Sequence, residues 1–172
     1  MGLVIVGVVL TKKSPAPQVT STPDITVDSS ILYEIAIPKI AIKAPILLNV
    51  PAEDETAYLK ALEGGVAHYN GTAVPGQTGN SVIFAHSGYY KNKPGDYKEI
   101  FRHLDQLRPG DDILTTIAGK KLNYKVTKST IVAADDLSVI EPVEGESRLT
   151  LLTCWPPGTL DKRFVVTATL EK

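Results

Sequence analysis

From Ile31 onward the chain is a series of short apolar runs broken by Gly, Pro and Asp. "ILYEIAIPKI" and "IKAPILL" mix β-branched residues with partial alternation, the pattern of half-buried strands. Pro38 and Pro45 are expected at strand ends or edges, because proline cannot donate to a ladder. "AEDETAYLKALEGG" places Tyr58, Leu59 and Leu62 on one helical face and stops at Gly64-Gly65. The acidic Glu53, Asp54 and Glu55 sit at the start of that helix, where negative charge complements the dipole. "GVAHY" and "NSVIFAHSG" read as short strands separated by a loop, in which Asn70-Gly71 marks a turn. "GDYKEIFRHLDQLRPG" predicts a second helix with a capping-box-like start at Asp96 and Glu99. Its apolar face is Ile100, Phe101, Leu104 and Leu107, and Pro109-Gly110 ends it. "DILTTIAGKKLNYKVTKSTIVAA" reads as a hairpin turning at Ala118-Gly119-Lys120, and "RLTLLTCW" and "KRFVVTATLEK" close the chain as strands. About eight strands with two short inserted helices suggest a barrel or a sandwich.

The first 30 residues have a different texture. Residues 1–10 are nearly continuously apolar, too short to cross a bilayer and without the basic start of a signal peptide. They read either as the trailing part of a membrane anchor, the favoured reading, or as an N-terminal strand. Lys12 and Lys13 follow the run, a mild counter-indication under the positive-inside tendency. Residues 11–30 are rich in Pro, Ser and Thr with no apolar periodicity, which predicts an extended stalk ahead of a folded domain over 31–172.

Composition narrows the functional classes. Of 172 residues, 43% are hydrophobic and 22% charged, and the net charge is −1, which fits one globular domain. No basic segment offers an electrostatic footprint for nucleic acid. No nucleotide-binding glycine motif, HExxH or EF-hand loop is present, so neither a cofactor nor a metal is expected. One cysteine excludes an internal disulfide and thiolate zinc sites.

That lone Cys154, at the end of "RLTLLTC", is the candidate for chemistry. A thiol attacks as thiolate, and a nearby cation lowers its pKa. A histidine would carry protons and a guanidinium would hold a developing oxyanion. His86 ends the buried-looking run "VIFAHSG", and Arg163 follows the tight connection "PPGTLD". If "LTLLTC" and "RFVVTATL" pair as neighbours, that connection returns Arg163 to the end of the Cys154 strand. Spacing alone does not place His86 beside them.

These pieces, in this order, resemble the sortases, cysteine transpeptidases of bacterial cell surfaces. "LTLLTC" matches the family's T-L-x-T-C strand, "RFVV" the strand that opens with its arginine, and "NSVIFAHSG" the strand that ends in its histidine. "IAIPKIAIKAPI" and "GVAHYNGTAVPGQTGN" look like its early strand and the loop ahead of the histidine. Ala85 stands where the family usually has glycine. The resemblance covers roughly residues 31–171 and implies a mainly β fold, an eight-stranded sortase-type barrel with two or so short helices. It implies that Cys154 is the nucleophile, His86 the general acid and base, and Arg163 the oxyanion or substrate holder. Thr153 and His68 are the substrate-binding residues it suggests, with a structural role as the alternative for His68; the bulky "WPPGT" after Cys154 departs from the family pattern, and Trp155 there is expected to shape a substrate groove.

The resemblance also implies partners and place. Secreted proteins with a C-terminal sorting motif of L-P-x-T-G type would be cut between Thr and Gly through a thioacyl-enzyme. The acceptor would be an amine of a peptidoglycan precursor or a pilin subunit. The enzyme would act outside the cytoplasm, held to the cell membrane by its N-terminus. Calcium-activated members use acidic residues in the loop ahead of the histidine strand; the matching loop here has none, and Asp135, Asp136, Glu141 and Glu144 are a weak ligand set. The competing readings are a non-catalytic adhesion or structural β-barrel, which predicts Cys154, His86 and Arg163 far apart, and a cysteine hydrolase of another family.

Overall fold

Eight strands form where the apolar runs were read, and they close on one another. They are β1 (Glu34–Ile37), β2 (Ile42–Val50), β3 (Val66–Tyr69), β4 (Gly79–Phe84), β5 (Asp112–Ile117), β6 (Lys120–Ala133), β7 (Ser147–Trp155) and β8 (Lys162–Leu170). The order around the closed barrel is β1-β2-β3-β4-β7-β8-β6-β5. A barrel, and not a sandwich, is therefore the architecture, and closure leaves no unpaired edge. The computed structural model describes residues 33–88 and 96–172. The apolar run 1–10 and the stalk 11–30 lie outside the described residues. Among the described residues no helix is long and apolar enough to cross a membrane.

Two parallel pairings, β2 with β3 and β4 with β7, interrupt the antiparallel ladder. A parallel pair needs a crossover. Between β2 and β3 it is helix α1 (Glu55–Gly64), whose first turn is capped by Asp54, which accepts from the Ala57 N–H at 3.0 Å. Gly65 ends it because the backbones crowd there: a Cβ on Gly65 would stand 2.3 Å from the Pro45 carbonyl oxygen. The β5–β6 hairpin turns through Ala118 and Gly119, both at positive φ (48° and 79°), the geometry that matches strand twist.

Alternation then divides each strand between two faces. On β7, Leu149, Leu151 and Thr153 are buried inward, and Phe164, Val166 and Ala168 do the same on β8. The apolar ones meet Ile35, Ile37, Ile83, Ile113 and Tyr124 in one core. Cys154 and Arg163 take the intervening positions and face outward with Leu152 and Val165.

Two sequence expectations need correction. Pro45 lies inside β2, not at its end. It sits where β2 changes partner, from β1 over residues 42–45 to β3 from Ile46 onward, so no ladder bond is lost. The helix expected from Asp96 to Gly110 is instead a chain of tight turns with one 3₁₀ turn at Leu104–Gln106. The amides of Ile100, Arg102, Leu104, Gln106 and Leu107 each bond three residues back. The Phe101 amide leaves the series to donate to the His86 carbonyl at 3.0 Å. Phe101, Leu104 and Leu107 are fully buried as the pattern required, and a spacing of three suits the 3₁₀ period better than 3.6.

His68 anchors this architecture. Fully buried on β3, its Nδ1 accepts from the Asn49 N–H at 3.2 Å. The proton therefore sits on Nε2, which faces the Ala73 carbonyl at 2.9 Å and the Thr72 hydroxyl at 3.1 Å. Burial lowers the pKa of His68 below its ordinary 6.5, against a smaller opposing effect of the Ala73 bond. Below pH 6.5 the unfolded chain takes up a proton that native His68 refuses, so stability is lost as pH falls from there towards the native pKa. His68→Ala is expected to cost about 3 kcal/mol at neutral pH, from a cavity plus unpaired backbone groups. Thermal melts across pH check both points: the wild-type melting temperature drops below pH 6.5, and the drop is shallower in His68→Gln.

Candidate active site

The outward face of β7 and β8 carries the chemistry. Their antiparallel register makes Cys154 and Arg163 direct cross-strand partners. On the other side, β4 runs parallel to β7 with Phe84 opposite Leu152. The Ala85 N–H donates to the Leu152 carbonyl at 3.2 Å, and the Thr153 hydroxyl donates to the Ala85 carbonyl at 2.8 Å. Two residues further along the same register, His86 comes level with Cys154. The Phe101 amide holds the His86 carbonyl from the far side.

Cys154, His86 and Arg163 line one cleft of about 350 Å³. Ala52, Tyr58, Leu62, Tyr69 and Phe84 form its apolar wall. Tyr58 and Tyr69 each meet the Phe84 ring edge-on, at 6.2 and 6.1 Å between centroids. The segment between β6 and β7 also lines it, through Asp136, Leu137, Val139 and Ile140. A non-catalytic domain predicted the three polar residues far apart; they are together.

Burial pushes the Cys154 thiol up from its ordinary value, and the positive charge of Arg163 offsets this only in part. Burial likewise lowers His86. A neighbouring cation does lower the thiol, as the sequence suggests, but desolvation acts against it and is the larger of the two effects. Arg163 Nη1 donates to the carbonyls of Leu160 and Lys162 at 3.0 and 2.9 Å, bracing the β7–β8 connection and leaving its other donors for the cleft.

The three substrate-binding candidates fare differently. Thr153 lines the cleft floor and tethers Ala85, the residue before His86. Trp155 does not line the cleft: one position past Cys154, alternation turns it to the opposite face of β7, where its ring packs on Phe164 at 5.2 Å. His68 does not line it either, since both ring nitrogens are engaged inside the barrel. Sequence reasoning missed Tyr69, Phe84 and Leu137 as cleft residues. It also missed Asn80, which stands between Gly79 and Ser81 at the polar start of β4, where an amide draws no notice. Among the described residues no cluster of three His, Cys, Asp or Glu is placed to hold a metal ion.

The sortase-domain family model matches residues 35–171, nearly the whole described chain. This chain belongs to the sortase family. It is 29% identical to Sortase D of Bacillus subtilis over 135 residues, 77% of this chain and 60% of that protein. It is 28% identical to Sortase A of Streptococcus agalactiae over 142 residues, 83% of this chain and 53% of that protein. The chain thus spans between half and two thirds of the length of these curated sortases. Among solved structures, sortase C-1 from Actinomyces oris superposes with a TM-score of 0.70 at 28% identity, covering 85% of this chain and 77% of that one. A Clostridium perfringens sortase C, solved with the C-terminal cell wall sorting motif, superposes with a TM-score of 0.69 at 30% identity, covering 83% and 71%. The sortase barrel and the one found here are the same eight-stranded fold.

Proposed function

We propose that this sortase is a cysteine transpeptidase that cuts an LPxTG-like sorting motif between Thr and Gly and passes the acyl part to an amine. The observation that carries the reading is the register of β7 and β8, which sets a lone Cys154 beside Arg163 on the floor of a cleft lined by His86. The Clostridium perfringens relative, solved with the C-terminal cell wall sorting motif, supports the substrate class. The apolar wall of Tyr58, Leu62, Tyr69 and Phe84 suits the motif's leucine and proline.

The chemistry needs one proton shuttled between Cys154 and His86. The Cys154 sulfur attacks the threonine carbonyl carbon, and its proton resides on His86. The carbonyl oxygen becomes an oxyanion, which the Arg163 guanidinium stabilises. Collapse breaks the C–N bond, His86 gives its proton to the departing glycine amine, and a thioester remains. An incoming amine, from a peptidoglycan precursor or a pilin lysine, attacks the thioester. It loses a proton to His86 and expels the sulfur as an amide forms. Secreted proteins bearing the motif are the first substrates. The site of action is the extracytoplasmic cell surface, with the apolar segment 1–10 as part of an N-terminal anchor.

The pKa directions set the expected pH dependence. The reactive form carries one proton shared by the pair, so turnover rises as the acid form of His86 is lost and falls as the Cys154 thiol ionises. The acid limb therefore lies below about 6.5 and the alkaline limb above about 9, the ordinary values from which the two groups are displaced. The test is kcat/KM for a sorting-motif peptide across pH, with and without an added amine. A broad plateau and amine-dependent amide product are expected. Cleavage of no motif peptide at any pH contradicts the reading.

A further inference from the structure

Outside the three reacting residues, one buried side chain is hydrogen-bonded to a segment that lines the cleft. The segment 134–146 leaves β6, crosses the outer face of the sheet and returns to β7. Its Asp136, Leu137, Val139 and Ile140 form one wall of the cleft. Asp136 caps the short 3₁₀ turn Leu137–Ile140, accepting from the Ser138 N–H at 3.0 Å, so the turn is locally stiff. What attaches that turn to the barrel is the Asn80 amide. Its Nδ2 donates to the Val139 carbonyl at 3.0 Å and to the Glu141 carbonyl at 2.9 Å. Two carbonyls around one atom require the amide nitrogen there, so Oδ1 points the other way, and the Thr150 hydroxyl donates to it at 2.7 Å. Asn80 is 4% and Thr150 1% exposed. Both of the Asn80 amide's donors and its acceptor are thus engaged in a place where water cannot substitute for them. Among the described residues, these two bonds are the hydrogen bonds between residues 137–141 and the strands.

The far side of the same segment borders a second groove of about 590 Å³, with Thr130, Thr150, Val165 and Thr167 among its lining residues. Val139 lines both spaces. The segment is therefore a partition standing on one sheet face. Its height and tilt over Cys154 depend on where its carbonyls are held. We propose that Asn80, oriented by Thr150, is a positioning residue that fixes this partition and so sets which molecules reach the Cys154 sulfur. The inference deepens the reading of the cleft as the acyl-transfer site and rests on it for its meaning in substrate selection.

The experiment separates the two. In wild type, Asn80→Ala and Thr150→Val, the Cys154 alkylation rate is measured with iodoacetamide and with a bulky polyethylene-glycol maleimide. Amide hydrogen exchange is followed in the same proteins. Losing two buried hydrogen bonds is expected to speed exchange at residues 137–141 about tenfold or more in Asn80→Ala, and less in Thr150→Val, with β4 and β7 unchanged. The bulky-to-small rate ratio shifts with it, by about threefold or more. With a sorting-motif peptide, KM rises in both variants while kcat changes far less. Unchanged exchange and an unchanged reagent ratio in folded Asn80→Ala overturn the proposal. If that variant does not fold, the same result in the isosteric Thr150→Val overturns it. A wild type that cleaves no motif peptide removes the functional reading, while the alkylation ratio and the exchange rates still decide the role of Asn80.

Discussion

Cys154→Ala is expected to abolish motif cleavage, by at least about ten-thousand-fold, while leaving the barrel folded. The size of the loss follows from the route. Without sulfur no thioester forms, and His86 and Arg163 have no acyl group to act upon. The chain has no second thiol to take over. Stability should change little, within about 1 kcal/mol, because the residue is small and stands at the cleft surface. Peptide turnover by chromatography and a thermal melt of the same sample check both halves. Retained cleavage in Cys154→Ala would remove the covalent mechanism altogether.

Arg163→Lys should lose about a hundred- to a thousandfold in kcat, the range for removing one oxyanion donor. Charge is preserved, so a purely coulombic role would survive the change. Geometry is not preserved. In the native protein Nη1 is already committed to the Leu160 and Lys162 carbonyls, and the rest of the planar fork remains for the cleft. A lysine ammonium is a single point that can brace the connection or reach the oxyanion, but not both. The contrast is readable in one protein. The pH dependence of Cys154 alkylation should stay close to wild type, because the coulombic effect on the thiol persists. Turnover should collapse in the same sample. Equal losses in alkylation and turnover would instead point to a displaced β7–β8 connection.

Much of the arrangement was legible in the chain, for identifiable reasons. Alternation in "RLTLLTCW" and "KRFVVTATL" predicts two strands, and the short connection between them predicts that they pair, so the Cys154–Arg163 contact could be inferred from loop length. His86 could not, since the β4–β7 pairing joins residues about seventy positions apart through a parallel ladder that spacing does not reveal. There the family resemblance supplied what local pattern lacked. The misread segment 97–107 has the right apolar positions and the wrong period, because its Phe101 amide is drawn to the His86 carbonyl. The bulky residue after Cys154 suggests a groove position for Trp155, whereas alternation sends adjacent strand residues to opposite faces. A charged neighbour alone predicts a lowered thiol pKa, and the depth of the site, invisible in a sequence, acts in the opposite direction. Asn80 sits between Gly79 and Ser81 and gives no local signal, and the partners of its amide nitrogen are backbone carbonyls, which carry no residue signature.

The central claim is that Cys154, His86 and Arg163 act as one acyl-transfer site, and intact-protein mass spectrometry tests it most directly. The enzyme is mixed with a sorting-motif peptide in the absence of an acceptor amine, and the mass is read before and after an amine is added. The expected result is an adduct equal to the peptide's part up to its threonine, mapped to Cys154, that disappears on amine addition as the amide product forms. Cleaved peptide with no adduct in wild type, together with undiminished cleavage by Cys154→Ala, would contradict it.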